Sequence, residues 1–363
     1  MQRLVTLVVL LTAGWAAAGA CLGAEKQAPR VPVVYSTDLF HPYDDPDDHF
    51  DLATLFALPE LDPRAIILDL GERQKQKTGR PAVEQMMRIT GRKVPTAFGL
   101  ARPLASRTDR GVDQPAEFQG GVELILRVLR ESPEQVTLFT AGSCRDMAAA
   151  ANREPELFRR KVRAFYANAG DGPAGTQQEW NVGLDPQAYA RIFELGVPVY
   201  WCPCFGKDGY LTHFVADQAA VIGACQPRVQ NYFVYALSKS KAEPIAFLDA
   251  GPHPVPGGQR AMWCTAPLFH AAGRGIYQRG PGDFVALSAA EAGQAGLTAG
   301  EVKVFQFVPA RIAVQAAAKA GPPRIVSELN SRQPNAYVFH ITDARYPAVL
   351  ALCLKNHLAR LGR

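Results

Sequence analysis

"VPVVYSTDLFHPYDDPDDHFDLATLFAL", residues 31–58, is the stretch on which the fold turns. It opens on an apolar run dominated by β-branched side chains, the mark of a buried strand (31–38). From Asp47 onward it becomes helical, with acidic residues in the first turn, where the helix dipole favours them. In open α/β sheets ligands bind beyond the carboxyl ends of the strands. Asp38, Asp47 and Asp48 therefore stand at the mouth of a site. Carboxylates crowded there repel one another, and two partners answer that: water on a solvated turn, or a hard divalent cation with oxygen ligands.

Outward from this stretch the alternation continues. Strands are expected at 65–71, 94–99, 135–142, 162–170 and 197–203, and helices at 80–91, near 116–131, at 143–161 and at 185–196. Apolar strands alternating with amphipathic helices predict an α/β fold, an open mainly parallel sheet flanked by helices. The basic segment "GERQKQKTGR" (71–80) reads as a loop. Beyond residue 205 the pattern blurs into a C-terminal elaboration. There 207–225 and 227–239 look helical, 301–314 alternates like strands, and a strand and helix end the chain.

The 363 residues are 48% hydrophobic and 20% charged, enough apolar material for a large core. A formal charge of +5 is thinly spread, which argues against a nucleic-acid partner. "MQRLVTLVVLLTAGWAAAGA" has the form of a secretory signal, so residues 1–24 are assigned to a signal peptide and 30–363 to one domain. The expectation is an exported, periplasmic or extracellular protein. Cys21, directly after Ala20, offers a site for a lipid anchor. Cys202-Pro-Cys204 is read as buried thiols at a strand end, with metal or redox chemistry as the alternative. A homo-oligomer is compatible with all of this.

"STD" followed by "DPDDHFDLATLFAL" resembles the N-terminal aspartate signature of the inosine/uridine-preferring nucleoside hydrolases. The likeness continues in order through "RAIILDLG", "RPAVEQMMRITGRKVPTAFGLARPL", "QVTLFTAGSCRDMAAAANREPELFRRKVRAFYANAGDG" and "EWNVGLDPQAYARIFELGVPVYW", covering roughly residues 31–204. The resemblance implies a nucleoside hydrolase-like fold and Ca2+-dependent cleavage of the N-glycosidic bond of a nucleoside or related glycoside. It also implies roles. Asp38 and Asp48 match calcium-binding carboxylates, and the backbone carbonyl near Arg145 matches a main-chain ligand. Asp38 would also deprotonate the attacking water, and Asp47 would grip the sugar hydroxyls beside the reacting carbon. Glu179 and Asn181 match a pair that binds the ribose hydroxyls. Trp180 is either core or a wall of the ligand site.

Each role has a structural competitor. Asp48 fits a helix N-cap, Glu179 and Asn181 fit loop stabilisers, and Asp185 before Pro186 fits a cap. His41 and His49 are read as surface or supporting residues. The sequence also departs from the family. Its first acidic loop is longer, Glu72 replaces an asparagine, and Thr265-Ala266 stands where the family has a His-Asp pair before Pro-Leu. Asp44, Asp45 or Asp249 could restore the lost carboxylate, and His270 or His253 the lost acid. A relative that binds a nucleoside or sugar without cleaving it is the alternative function, followed by an unrelated exported α/β protein.

Overall fold

Residues 31–37 enter the middle of a large sheet, and their burial on both faces explains why they read as a continuous apolar run. The computed structural model describes residues 30–173, 175, 179–315 and 324–362. The expected signal segment and Cys21 lie outside them. The strands are β1 (Val31–Thr37), β2 (Leu61–Leu68), β3 (Thr96–Phe98), β4 (Val136–Ala141), β5 (Val162–Asn168), β6 (Val199–Cys202), β7 (Phe214–Asp217), β8 (Gln259–Met262), β9 (Gly275–Gly280), β10 (Asp283–Leu287), β11 (Phe305–Gln315), β12 (Arg324–Leu329) and β13 (Ala336–Ile341). Nine of them form one sheet in the order β12-β11-β13-β6-β5-β4-β1-β2-β3. The run from β13 to β3 is parallel throughout, and β11 and β12 add antiparallel pairings at one edge. The fold is thus the expected open, mostly parallel sheet flanked by helices, with the elaboration completing its edge.

Side chains alternate along β1 between two cores. Val33 and Tyr35 pack with Phe50, Leu55, Phe233 and Leu350 on one face. Val34 packs with Ile125, Met147 and Ala190 on the other. The helices that cover these faces include α1 (Asp47–Ala57), α2 (Gly71–Gln76), α3 (Arg80–Thr90), α4 (Gly120–Glu131), α5 (Arg145–Arg153), α6 (Pro155–Lys161), α7 (Trp180–Leu184) and α8 (Pro186–Ile192).

Three segments differ from expectation. Residues 71–76 form α2 rather than loop. This helix lacks an apolar stripe because it buries only Gly71 and Gln74, and Gln74 serves as a polar anchor: its amide donates to the Leu39 and Asp69 carbonyls (3.0 and 3.1 Å) and accepts from the Gly79 N–H (2.9 Å). The helix expected over 143–161 breaks into α5 and α6 at Pro155, as the loss of a donor at proline requires. Within 207–225, Phe214–Asp217 is a strand paired with β8, and only Gln218–Gly223 is helical.

The chain builds β1 to β3 on one side of β1, then returns to place β4 on the other side. That reversal is a topological switch point, and it opens a crevice beyond the carboxyl ends of β1 and β4.

Candidate functional site

A cavity of about 320 Å³ occupies that crevice, a size typical of small-molecule sites. Asp38 enters it from the end of β1, Asp47 and Asp48 from the first turn of α1, Ala141 from β4 and Asn168 from β5. Glu179, Trp180 and Asn181 come from the start of α7, and Cys204, Phe205, Trp263 and Cys264 complete the wall. The turn after β4 fits beneath Asp38 only because residue 142 is glycine. A Cβ there would stand 3.0 Å from the Asp38 nitrogen and 3.2 Å from its Oδ1.

The acidic loop is held open from outside. Arg73 and Lys77 both pair with Asp44, and their charges lie over the Phe40 ring at 4.7 and 5.0 Å. Arg260 reaches Asp45 at 3.5 Å. The segment that reads as a basic loop is therefore a clamp on the acidic one. Asp44 and Asp45 are engaged in ion pairs, and Asp249 pairs with Arg88 and Arg228 at a position outside the cavity wall. Asp44 and Asp45 thus line the cavity with their charges already paired, and Asp249 does not line it.

Asp38, Asp47 and Asp48 are tied to little else. Thr37 Oγ1 donates to Asp48 Oδ1, and the nearby Trp180 indole favours the charged form of Asp38. Burial, with repulsion from Asp69, pushes the Asp38 carboxyl up to about 7. Burial and mutual repulsion also hold Asp47 and Asp48 well above the carboxylate range. The N-cap of α1 is Pro46, without a side-chain cap bond, so Asp48 is not spent as a cap. This crowding of hard oxygens is what a divalent cation neutralises. Among the described residues, however, no three His, Cys, Asp or Glu side chains stand close enough to hold an ion jointly. Ala266, where the family has an aspartate, is fully buried.

Other expected residues have partners of their own. The Arg145 side chain, as distinct from the backbone carbonyl expected as a ligand, is bound elsewhere. Its Nε donates to Asp185 Oδ2 at 3.2 Å and its remaining nitrogens to the Leu100 and Leu184 carbonyls (3.1 and 2.9 Å), and the residue does not line the cavity. Asp185 caps α8 through the Ala188 N–H (2.9 Å), as its sequence context suggests. Glu179 lines the cavity, but its oxygens accept from the Gly170, Asn181 and Val182 N–H groups at 2.8, 3.0 and 3.2 Å. Asn181 donates to the Asn168 carbonyl at 2.9 Å. Glu72 is exposed and away from the cavity. His41 bonds the Ser240 carbonyl at 2.6 Å, and His49 is buried among Tyr43 and Tyr232. His270 Nδ1 is 2.8 Å from the Tyr166 hydroxyl and His253 stacks on Phe247, so neither stands in the cavity wall. The six cysteines among the described residues are buried and free, which for Cys202 and Cys204 agrees with their reading as buried thiols.

Asn168 in the cavity wall and Asp51, which does not line it, escape sequence reading. Asn168 ends a strand like any polar residue, yet its Oδ1 is buried, unpartnered and at the cavity. Asp51 follows Asp47 and Asp48 at helical spacing, the one signal available for it. It is 1% exposed, neither oxygen has a hydrogen bond of ordinary geometry, and burial pushes it up to about 7.

These buried acids carry a pH signature. Asp38, Asp51 and Asp146 titrate near 7 in the folded chain and near 4 when unfolded. The folded state thus binds more protons between those values, and stability present at low pH is lost as pH rises through about 7. In chelator, the melting temperature is expected to fall by several degrees from about pH 5 to about pH 8. A flat or rising profile by calorimetry would contradict this.

Comparison with known proteins agrees with the geometry. The family model for inosine-uridine preferring nucleoside hydrolases matches residues 34–243. The pyrimidine-specific ribonucleoside hydrolase RihA of Citrobacter koseri is 30% identical over 187 residues, 47% of this chain and 58% of that protein. The chain thus spans little more than half the length of this curated relative. Among solved structures, a purine-preferring ribonucleoside hydrolase from Gardnerella vaginalis aligns with a TM-score of 0.58 at 14% identity, covering 91% of this chain and 99% of that one. The plant nucleoside hydrolase PpNRh1 aligns with a TM-score of 0.54 at 16% identity, with the same coverage. At these identities the structural likeness speaks for the fold.

Proposed function

This chain belongs to the inosine-uridine preferring nucleoside hydrolase family, and on that premise we propose that it is a calcium-dependent hydrolase cleaving the N-glycosidic bond of a nucleoside or related riboside. The observation that carries the reading is the convergence of Asp38, Asp47 and Asp48 on one cavity at the switch point of the sheet. Asp38 and Asp48 are the residues that would hold the ion. When bound, calcium supplies charge to orient vicinal sugar hydroxyls and to acidify a water. Asp38 would take the proton from the attacking water, with the Trp180 indole beside it favouring its charged form. Asp47 accepts from a sugar hydroxyl, and Asn168 Oδ1 and Asn181 are placed to bond the others. Such groups act by being fixed before positive charge develops on the sugar. Residues 1–24 support export of the enzyme.

The test is release of ribose from a panel of ribosides including uridine and inosine. Turnover should vanish in chelator and return with calcium, and calorimetry should detect calcium binding directly. Turnover unaffected by chelator would overturn the metal dependence.

A second reading rests on the fully buried Thr265 and Ala266, which bring neither acid nor carboxylate to the cavity. On that reading the protein binds ribosides without cleaving them. Thermal stabilisation by a riboside with no ribose release would establish it.

A further inference from the structure

The cavity combines carboxylates with aromatic rings. Among its acids, ion pairs satisfy Asp44 and Asp45. Asp38, Asp47, Asp48 and Glu179 have no paired cation, and among the described residues no Lys, Arg or His lines the cavity. Trp180, Phe205 and Trp263 line the same space. Trp180 is 63% and Phe205 46% exposed, high values for such side chains. Phe205 meets Trp263 edge-on with ring centroids 5.7 Å apart, and His213 packs behind both at 5.7 and 5.4 Å. Burial holds the His213 imidazole below its ordinary pKa. It therefore backs this wall as a neutral ring.

This arrangement bears on how the bond breaks. A neutral base departs as an anion unless a proton reaches it, and general acids supply that proton in ordinary N-glycoside cleavage. Here the two imidazoles considered for the task, His253 and His270, are engaged elsewhere, and Thr265-Ala266 carries no acid. A ring that already bears positive charge needs no proton. Negative potential and exposed aromatic faces together also form the surroundings that bind flat organic cations.

We propose, resting on the hydrolase reading above, that the aglycone is a cationic heteroaromatic ring, so that the substrate is an N-riboside of the pyridinium or N-alkylated purine class. In the step, the bond from the sugar's anomeric carbon to the ring nitrogen breaks, and its electron pair neutralises the ring. Water oxygen bonds to that carbon, and the water proton passes through Asp38 to solvent. The products are ribose, a neutral heteroaromatic base and one proton. The ring lies between Trp180 and the Phe205–Trp263 wall, with the ribose on the aspartates.

The experiment compares 7-methylinosine with inosine, and the riboside of nicotinamide with uridine, on the calcium-loaded full chain. Each kcat/KM is divided by the spontaneous hydrolysis rate of the same compound. In parallel, tryptophan fluorescence measures binding of the uncleavable 1-methylnicotinamide cation against neutral nicotinamide. The expected result is a preference for the cationic riboside of at least about a hundredfold after that correction, the size of the acid assistance a neutral base lacks. The methylated cation should bind about tenfold more tightly than nicotinamide. Phe205→Leu and Trp263→Leu should each weaken that binding while leaving calcium affinity unchanged. Equal corrected rates for inosine and 7-methylinosine would overturn the assignment, with a carboxyl such as Asp47 then donating the proton, and the hydrolase reading would stand. Equal binding of cation and neutral ring would also overturn it. Tight cation binding without cleavage of any riboside would support the cationic pocket while removing the hydrolase reading.

Discussion

Asp48→Ala is expected to lose about a thousandfold in kcat/KM, equivalent to about 4 kcal/mol of transition-state stabilisation, without unfolding the protein. Asp48 is one of two carboxylates assigned to the ion, and it is buried in the first turn of α1. Alanine also removes the hydrogen bond from Thr37, a cost of about 1 kcal/mol. Against this, it relieves the repulsion among Asp38, Asp47 and Asp48, and no helix cap is lost. The two stability effects oppose each other, so the melting temperature in chelator should stay within a few degrees of the parent. Calcium affinity measured by calorimetry should fall with the rate. A variant that melts much earlier yet turns over normally would show that Asp48 only supports the fold.

The largest loss of stability is expected at Asp185, outside the cavity wall. Its carboxylate is fully buried and accepts from Arg145 Nε, from the Leu104 N–H at 2.8 Å and from the Ala188 N–H at 2.9 Å. Asp185→Ala strands the buried Arg145 guanidinium with two carbonyls as its partners and uncaps α8. Removing one member of a buried ion pair typically costs about 3–5 kcal/mol. Urea unfolding should therefore show a shift of that order, and Asp185→Asn, which can keep the cap, should lose less. A change below about 1 kcal/mol would mean that Arg145 finds an alternative partner.

The order of strands and helices up to β6 is legible because buried parallel strands and amphipathic helices each write their own periodicity. The segment Gly71–Gln76 hides because its helix is anchored by one glutamine and two cations rather than by an apolar face. The acid wall is legible for the same reason that β1 is: its residues sit at a strand end and at a helix start. Phe205 and Trp263 are not legible. They meet across 57 residues of intervening chain, and no local spacing reports a contact between rings. Arg145 shows a different limit: the motif points to its backbone carbonyl, whereas the partner of its side chain, Asp185, stands 40 residues further on, where no local spacing announces it.

The acids at the cavity come from residues 38–48 and 179, whereas two of its three aromatic rings, Phe205 and Trp263, come from a later length of chain. Under the assignment proposed above, water activation and most of the ring-binding wall are encoded on separate lengths of chain that meet only in space. Exchanging the later length for its counterpart in another member of the family would re-aim the choice of leaving group and leave the water-activating end untouched. Divergence in this scaffold can proceed one wall at a time.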